Sequence, residues 1–205
     1  MHFLITAGGT REYIDPVRFV SNASSGRMGY ALARAALKAG HKVTLITAPT
    51  SLRIPEGTKT VNVETASQMH TAVKKYYPKT DCLIMAAAVA DYTPIKTLKT
   101  KIKKSGKGLT LKLKPTHDIL RWAAKNKRKN QLVIGFALED KAVCARAEKK
   151  LKEKRLDMIV ANTIAAIGSD KTAVQIKRCD SKWLKIASSA KAVIARKIIS
   201  LAENM

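Results

Sequence analysis

The sequence predicts an α/β protein built on a Rossmann-like, doubly wound, mostly parallel sheet, with helices on both faces and an added flap or hairpin. Three observations carry this. Apolar runs of strand length alternate with amphipathic segments of helix length, the pattern of successive βαβ units. Asp81-Cys-Leu-Ile-Met-Ala86 is nearly all apolar, as a strand covered on both faces should be. The first run, His2–Thr6, leads through glycines towards a helix, the layout of a phosphate-binding turn.

Taken in order, the helix after that turn is marked by Met28, Leu32, Ala35 and Ala39 at spacings of three and four, and Gly40 ends it. Lys42–Thr47 is a second strand, and Lys59–Val63 alternates like a third. Thr65 caps a helix carrying Met69, Val73 and Tyr76 on one face, closed by Pro78. After the strand at 81–86, residues 93–107 turn abruptly lysine-rich, with breaks at Pro94 and Gly106. Leu109–Leu113 then alternates strictly, so residues of about 93–114 read as a flap with a strand. Such a flap should be mobile when empty and ordered by anions. Asp118–Ala124 opens a helix, Gln131–Phe136 is a fifth strand, and Glu139–Arg155 is a basic helix with Ala142, Ala145, Ala147 and Leu151 for packing. Asp157–Ala161 is the sixth strand. Thr172–Lys177 and Trp183–Ala187 form an antiparallel addition, and Ser188 or Ser189 caps a last helix with Val193, Ile194, Ile198 and Leu201.

No linker interrupts the 205 residues, so residues 1–205 form a single domain. No apolar run approaches a membrane span. Met1 opens directly onto the first strand, which leads us to expect neither signal peptide nor fused domain, and a cytoplasmic location. Cys82, Cys144 and Cys179 are scattered without C-x-x-C spacing and read as buried, reduced thiols; the four histidines show no metal-ligand spacing. The formal net charge is +24, from 39 Lys and Arg against 15 acids. This excess suggests a nucleic-acid partner, but aromatic residues make up 5%, few for a base-stacking surface. Solvated helix and hairpin faces, with some steering of anionic substrates, are the better account.

The turn after the first strand is unusual for a dinucleotide fold. Gly8-Gly9 and Ser24-Ser25-Gly26 are split by a long insert holding Arg11, Asp15, Arg18 and Asn22, instead of a compact G-x-G-x-x-G. The second strand ends in Ala48-Pro49 with no acid to hold an adenosine ribose. Both details oppose an NAD(P)-dependent reductase, and the insert is too long for a mere connection, so it reads as a binding loop. Ala86–Asp91, at a strand's C-terminal end, is either a nucleotide contact or a packed alanine turn capped by Asp91.

The order GGTRE, DPVRF, SNASSG and a Met-Gly helix resembles the phosphopantothenoylcysteine synthetases (phosphopantothenate–cysteine ligases), in many bacteria the second half of a bifunctional coenzyme A flavoprotein. Ala86–Tyr92, Lys101-Ile-Lys-Lys104, Gly135-Phe-Ala137, Asp157–Asn162 and Gly168-Ser-Asp170 extend the resemblance over nearly the whole chain. It implies ligation of 4'-phosphopantothenate with L-cysteine through an acyl-cytidylate formed from CTP, with release of pyrophosphate. It also implies Mg2+ carried on the triphosphate rather than in a protein cage, and a homodimer joined through Leu109–Leu113 with the flap closing over the active site. A separate decarboxylase would serve the same pathway. By position, Gly8, Gly9, Ser24, Ser25 and Gly26 would hold phosphates. Asn22 would bond the acyl phosphate, and Lys101 would neutralise the triphosphate. Ala87, Ala88, Asp91 and Phe136 would shape the nucleotide pocket. Three places depart from the family's pattern: Lys99-Thr100 stands where Pro-Glu is usual, Thr116-His117-Asp118 where Asn-Pro-Asp is usual, and Asp140 where Thr is usual.

Overall fold

Apolar strands of this kind bury both faces only between two layers of helix, and that is the arrangement in a computed structural model of the chain, which describes residues 1–106, 108–166 and 168–205. Lys107, within the expected flap, lies outside the described residues. The strands are β1 (His2–Ala7), β2 (Arg11–Tyr13), β3 (Phe19–Ser21), β4 (Lys42–Thr47), β5 (Lys59–Asn62), β6 (Cys82–Met85), β7 (Tyr92–Pro94), β8 (Leu113–Pro115), β9 (Leu132–Glu139), β10 (Met158–Thr163), β11 (Lys171–Arg178) and β12 (Leu184–Ala190). The helices are α1 (Arg27–Lys38), α2 (Ala66–Tyr76), α3 (Ile119–Lys125), α4 (Val143–Glu153) and α5 (Lys191–Glu203).

Eight strands form one sheet in the order β12-β11-β10-β9-β6-β1-β4-β5, while β2 pairs with β3 and β7 with β8 as small hairpins. β1, β4, β5, β6, β9 and β10 run parallel, and β11 and β12 add antiparallel. The Rossmann-like α/β class expected from the sequence is therefore the class that forms. The pleat divides the core. Phe3 and Ile5 face α1 and α5, whereas Leu4 faces the layer holding α2, α3 and α4. Leu4 is fully buried, so Leu4→Ala should cost about 2–5 kcal/mol. A Cβ on Gly29 would fall 2.5 Å from that of Ala7, so only glycine lets α1 lie this close to β1.

Chain order reverses between β1 and β6: β4 and β5 extend one way from β1, β6, β9 and β10 the other. Ligands of open α/β sheets bind beyond the strand ends at such a switch point.

Five local expectations differ. Leu109–Lys112 form no strand, because the facing strand β7 ends at Pro94 and two such short strands have little to stabilise them; the Ile95 amide still reaches the Lys112 carbonyl at 3.0 Å. The basic helix starts at Val143, after β9 runs on to Glu139 and Ala142 takes φ 48°; Ala142 and Ala145 face solvent, leaving Ala147 and Leu151 to pack. Ser188 and Ser189 lie in β12 rather than capping α5. The first α5 amide, that of Lys191, is instead taken by the Asp170 carbonyl at 3.2 Å, and Val193 is exposed. Of the cysteines, Cys82 is buried, Cys144 half-buried and Cys179 exposed. The insert after Gly9, read as a loop, folds into the β2–β3 hairpin, while Thr65 caps α2 as expected, in a reciprocal box with Gln68.

Candidate active site

The segments leaving β1 and β6 are zipped together above the switch point. The Ala88 amide donates to the Gly8 carbonyl at 2.8 Å, and the Thr10 amide to the Ala88 carbonyl at 3.3 Å. Two buried threonines complete the seam: Thr6 Oγ1 accepts the Ala87 amide at 3.1 Å, and Thr10 Oγ1 the Ala90 amide at 2.9 Å. Asn22 spans the same seam from the insert. Its Nδ2 donates to the carbonyls of Ala88 at 3.3 Å and Val89 at 3.2 Å. The alanine turn is thus fixed by side chains that lie 66 to 81 positions earlier in the sequence.

Beside this seam opens a cavity of about 550 Å³. Its lining includes Asn22, Ser24, Ser25 and Gly26 from the insert and the start of α1, Ala87, Ala88 and Asp91 from the segment after β6, and Phe136 of β9. Eight of the expected site residues therefore share one cavity. Gly8 and Gly9 do not line it. They sit behind the seam, where a Cβ on Gly9 would fall 2.8 Å from the Asn22 carbonyl oxygen. Lys101 does not line it either.

Gly26, at φ 74°, turns the chain into α1, and no side chain caps that helix. The free amides of its first turn therefore border the cavity with a favourable dipole for an anion. Two lysines of α4 and its C-terminal end, a segment whose charges the sequence assigns to solvated helix surface, line the same cavity. Lys150 donates to the Phe136 carbonyl at 2.7 Å, and Lys154 lies 3.1 Å from Asp118. Burial, then the charge of Lys154, lower the Lys150 pKa, against the opposing pull of Glu139, Asp91 and Asp118. Burial raises the Asp118 pKa, but bonds from the Arg121 amide and Lys154 outweigh this and leave it lowered. The available signal was position: Lys150 sits between Ala147 and Leu151, the two buried residues of α4.

The flap is stitched to the insert rather than to the cavity wall. Thr97 Oγ1 donates to the Tyr13 carbonyl and the Leu98 amide to the Ile14 carbonyl, both at 2.9 Å. The described residues assemble no group of three or more His, Cys, Asp or Glu side chains suited to a metal, and none of their helices is long and apolar enough to cross a membrane.

Residues 1–205 match the family of the DNA/pantothenate metabolism flavoprotein C-terminal domain. The chain belongs to this family. Among curated relatives, the coenzyme A biosynthesis bifunctional protein CoaBC of Bacillus subtilis (strain 168) is 48% identical over 169 residues, 82% of this chain and 41% of that protein. A cysteine/cysteine sulfinic acid decarboxylase from an unknown prokaryotic organism is 43% identical over 206 residues, 96% of this chain and 57% of that protein. The chain thus spans about half the length of these relatives. The crystal structure of the C-terminal domain of a CoaBC protein matches with a TM-score of 0.87 and 41% identity, covering 100% of this chain and 94% of that one. The Rossmann-like sheet is accordingly the frame this chain shares with that domain.

Proposed function

We propose that the chain is a phosphopantothenate–cysteine ligase that joins 4'-phosphopantothenate to L-cysteine, using CTP to form an acyl-cytidylate and release pyrophosphate. The observation that carries this reading is the cavity itself. It offers uncapped amides at the start of α1 and the ammonium groups of Lys150 and Lys154, so it suits a polyanion. Its alanine wall and Phe136 suit a flat base.

A carboxylate is a poor acyl donor until its oxygen becomes part of a better leaving group. Attack of the pantothenate carboxylate oxygen on the CTP α-phosphorus forms the acyl–phosphate bond and expels pyrophosphate. The cysteine amine then attacks the acyl carbon, CMP leaves, and the amine proton passes to solvent. Neither half needs a protein nucleophile. Both need positioning and charge stabilisation, which is what this wall of fixed amides and lysines can supply. Lys101 and Asn22 would act on the phosphates and the acyl group.

Magnesium fits as a passenger of the triphosphate. Asp118 is engaged by Lys154 and the Arg121 amide, which leaves Asp91 as the cavity acid able to reach the ion. Bound there, the ion would neutralise phosphate charge.

A homodimer belongs to the same reading. Val17, Phe19 and Ile95 on the hairpins, with Leu109, Leu111 and Leu113 on the flap, expose apolar surface on the elements stitched together above. A second copy covering this face would press the flap towards a site. The test of the whole reading is cysteine-dependent release of CMP in the presence of phosphopantothenate and CTP. Release of CMP that does not require cysteine would defeat it.

A further inference from the structure

His117 lines the cavity, and its ring lies against that of His70 from α2, with centroids 4.8 Å apart and planes at 31°. His70 meets Trp122 of α3 edge-on at 5.8 Å, and Trp122 meets Tyr77 at 5.9 Å. A row of four rings therefore runs from the cavity wall into the α2–α3 packing. Within it, His70 Nε2 is buried and makes no hydrogen bond among the described residues.

The two imidazoles differ in what surrounds them. Burial disfavours a charged His70, and the charges of His117 and Lys74 act in the same direction, so the His70 pKa is lowered. Lys74 comes from the same helix, His117 from the loop before α3, and α3 presents the uncharged Trp122. Asp118, next to His117, is already paired with Lys154. Two imidazolium rings this close would repel one another. His117 is the exposed member and the one facing the cavity. A charged imidazole there would rest on a neutral aromatic face, a favourable cation–π arrangement.

We propose that His117 takes up a proton from solvent when the cavity binds a nucleoside triphosphate, and that His70 is a positioning residue that stays neutral and holds the charged ring against the wall. The proposal rests on the nucleotide reading above. The proton comes from the buffer acid and ends on the His117 imidazole, and no bond of the nucleotide changes.

Calorimetric titration of the full chain with CTP and Mg2+, in two buffers of different ionisation enthalpy, counts the protons taken up. Wild type should take up more than His117→Phe. Its affinity should also gain about three- to tenfold more than the variant's between about pH 8 and about pH 6.5, the range in which an imidazole changes charge. His117→Gln serves if the phenyl variant does not fold. His70→Ala should lose the uptake and His70→Phe should restore it, a proton count that packing alone would not move. Equal counts in wild type and both His117 variants, with CTP bound by each, overturn the inference and leave the nucleotide reading standing. No binding of CTP to wild type ends the nucleotide reading, and the inference with it.

Discussion

The Asp15 carboxylate accepts the Ile102 amide at 3.1 Å, a contact that closes 87 positions of chain and ties the flap to the insert. Arg18 completes the clasp, donating to Asp15 at 2.7 Å and from both guanidinium ends to the Ile102 carbonyl at 3.2 Å. Asp15 is wholly buried. Burial raises its pKa, but the Ile102, Val17 and Arg18 amides and the Arg18 charge outweigh that and hold it at about 2, against an ordinary 3.8.

Asp15→Asn should therefore loosen the flap at neutral pH. Because the folded carboxyl binds its proton less readily than the unfolded one, the stability it contributes is present above pH 3.8 and is lost as pH falls towards 2. Thermal melts of wild type and variant should differ at pH 7 and converge across that window, and the variant should be cut faster by protease within residues 96–106. A constant gap down to pH 2 would show that the charge does not act here.

Lys101 immediately precedes the clasped Ile102, so Lys101→Gln removes a charge while the clasp stays closed. If its ammonium meets the charge growing on pyrophosphate, pyrophosphate release without cysteine should fall about 10²- to 10³-fold. An unchanged rate would make Lys101 a solvated flap residue.

Lys150→Met keeps the buried stem and removes the ammonium. We expect CTP affinity to fall about 10- to 100-fold, the worth of about 1.5–3 kcal/mol for a charged hydrogen-bonding group. The fold should survive, since among the described residues the ammonium makes one hydrogen bond, to the Phe136 carbonyl. Equilibrium binding read beside a thermal melt separates the two effects.

The exposed flap leucines invite a test of assembly. Leu111→Glu should convert a dimer to a monomer in light scattering at assay concentrations. Its melting temperature as a monomer should change little, because Leu111 lies outside the core. Wild type running as a fully active monomer would remove the dimer from the proposal.

How much of this was legible in the sequence follows from what sets each element. The sheet was readable because Cys82–Met85 and His2–Ala7 are continuous apolar runs whose burial decides their structure. The β2–β3 hairpin was not, since strands of three residues carry no measurable period, and Glu12 is held by a distant bond to the Ala66 amide. The alternation at Leu109–Leu113 misled for the opposite reason: a period marks a strand only where another strand is there to pair with it. At the candidate site, the place of Ser24, Ser25 and Gly26 beside the cavity was legible from residue type, whereas that of Gly8 and Gly9 behind the seam was not. Lys150 and Lys154 were not, because a lysine-rich helix looks solvated until its flank is known to border a cavity.

Asn22 offers the sharpest test, because its place in the seam alters what its replacement should do. The side-chain amide donates to two carbonyls, Ala88 and Val89, while the residue also lines the cavity. Asn22→Asp is nearly isosteric but turns this donor into a carboxylate facing two carbonyl oxygens, and it sets that charge beside the expected phosphates. Both consequences act on the alanine turn, so CTP affinity should fall, by about tenfold for two lost bonds of roughly 0.5–1.5 kcal/mol each with partial compensation by water. If Asn22 also bonds the acyl phosphate during activation, overall amide formation should fall a further 10²-fold or so, as for loss of a preorganised donor. Asn22→Ala divides the two, since it removes the donor without adding charge. Calorimetric affinity, melting temperature and product rate measured on one preparation of each variant decide the matter. A product rate that tracks affinity in both variants makes Asn22 a brace for the turn, and a rate that falls well beyond affinity in both makes it part of the chemistry.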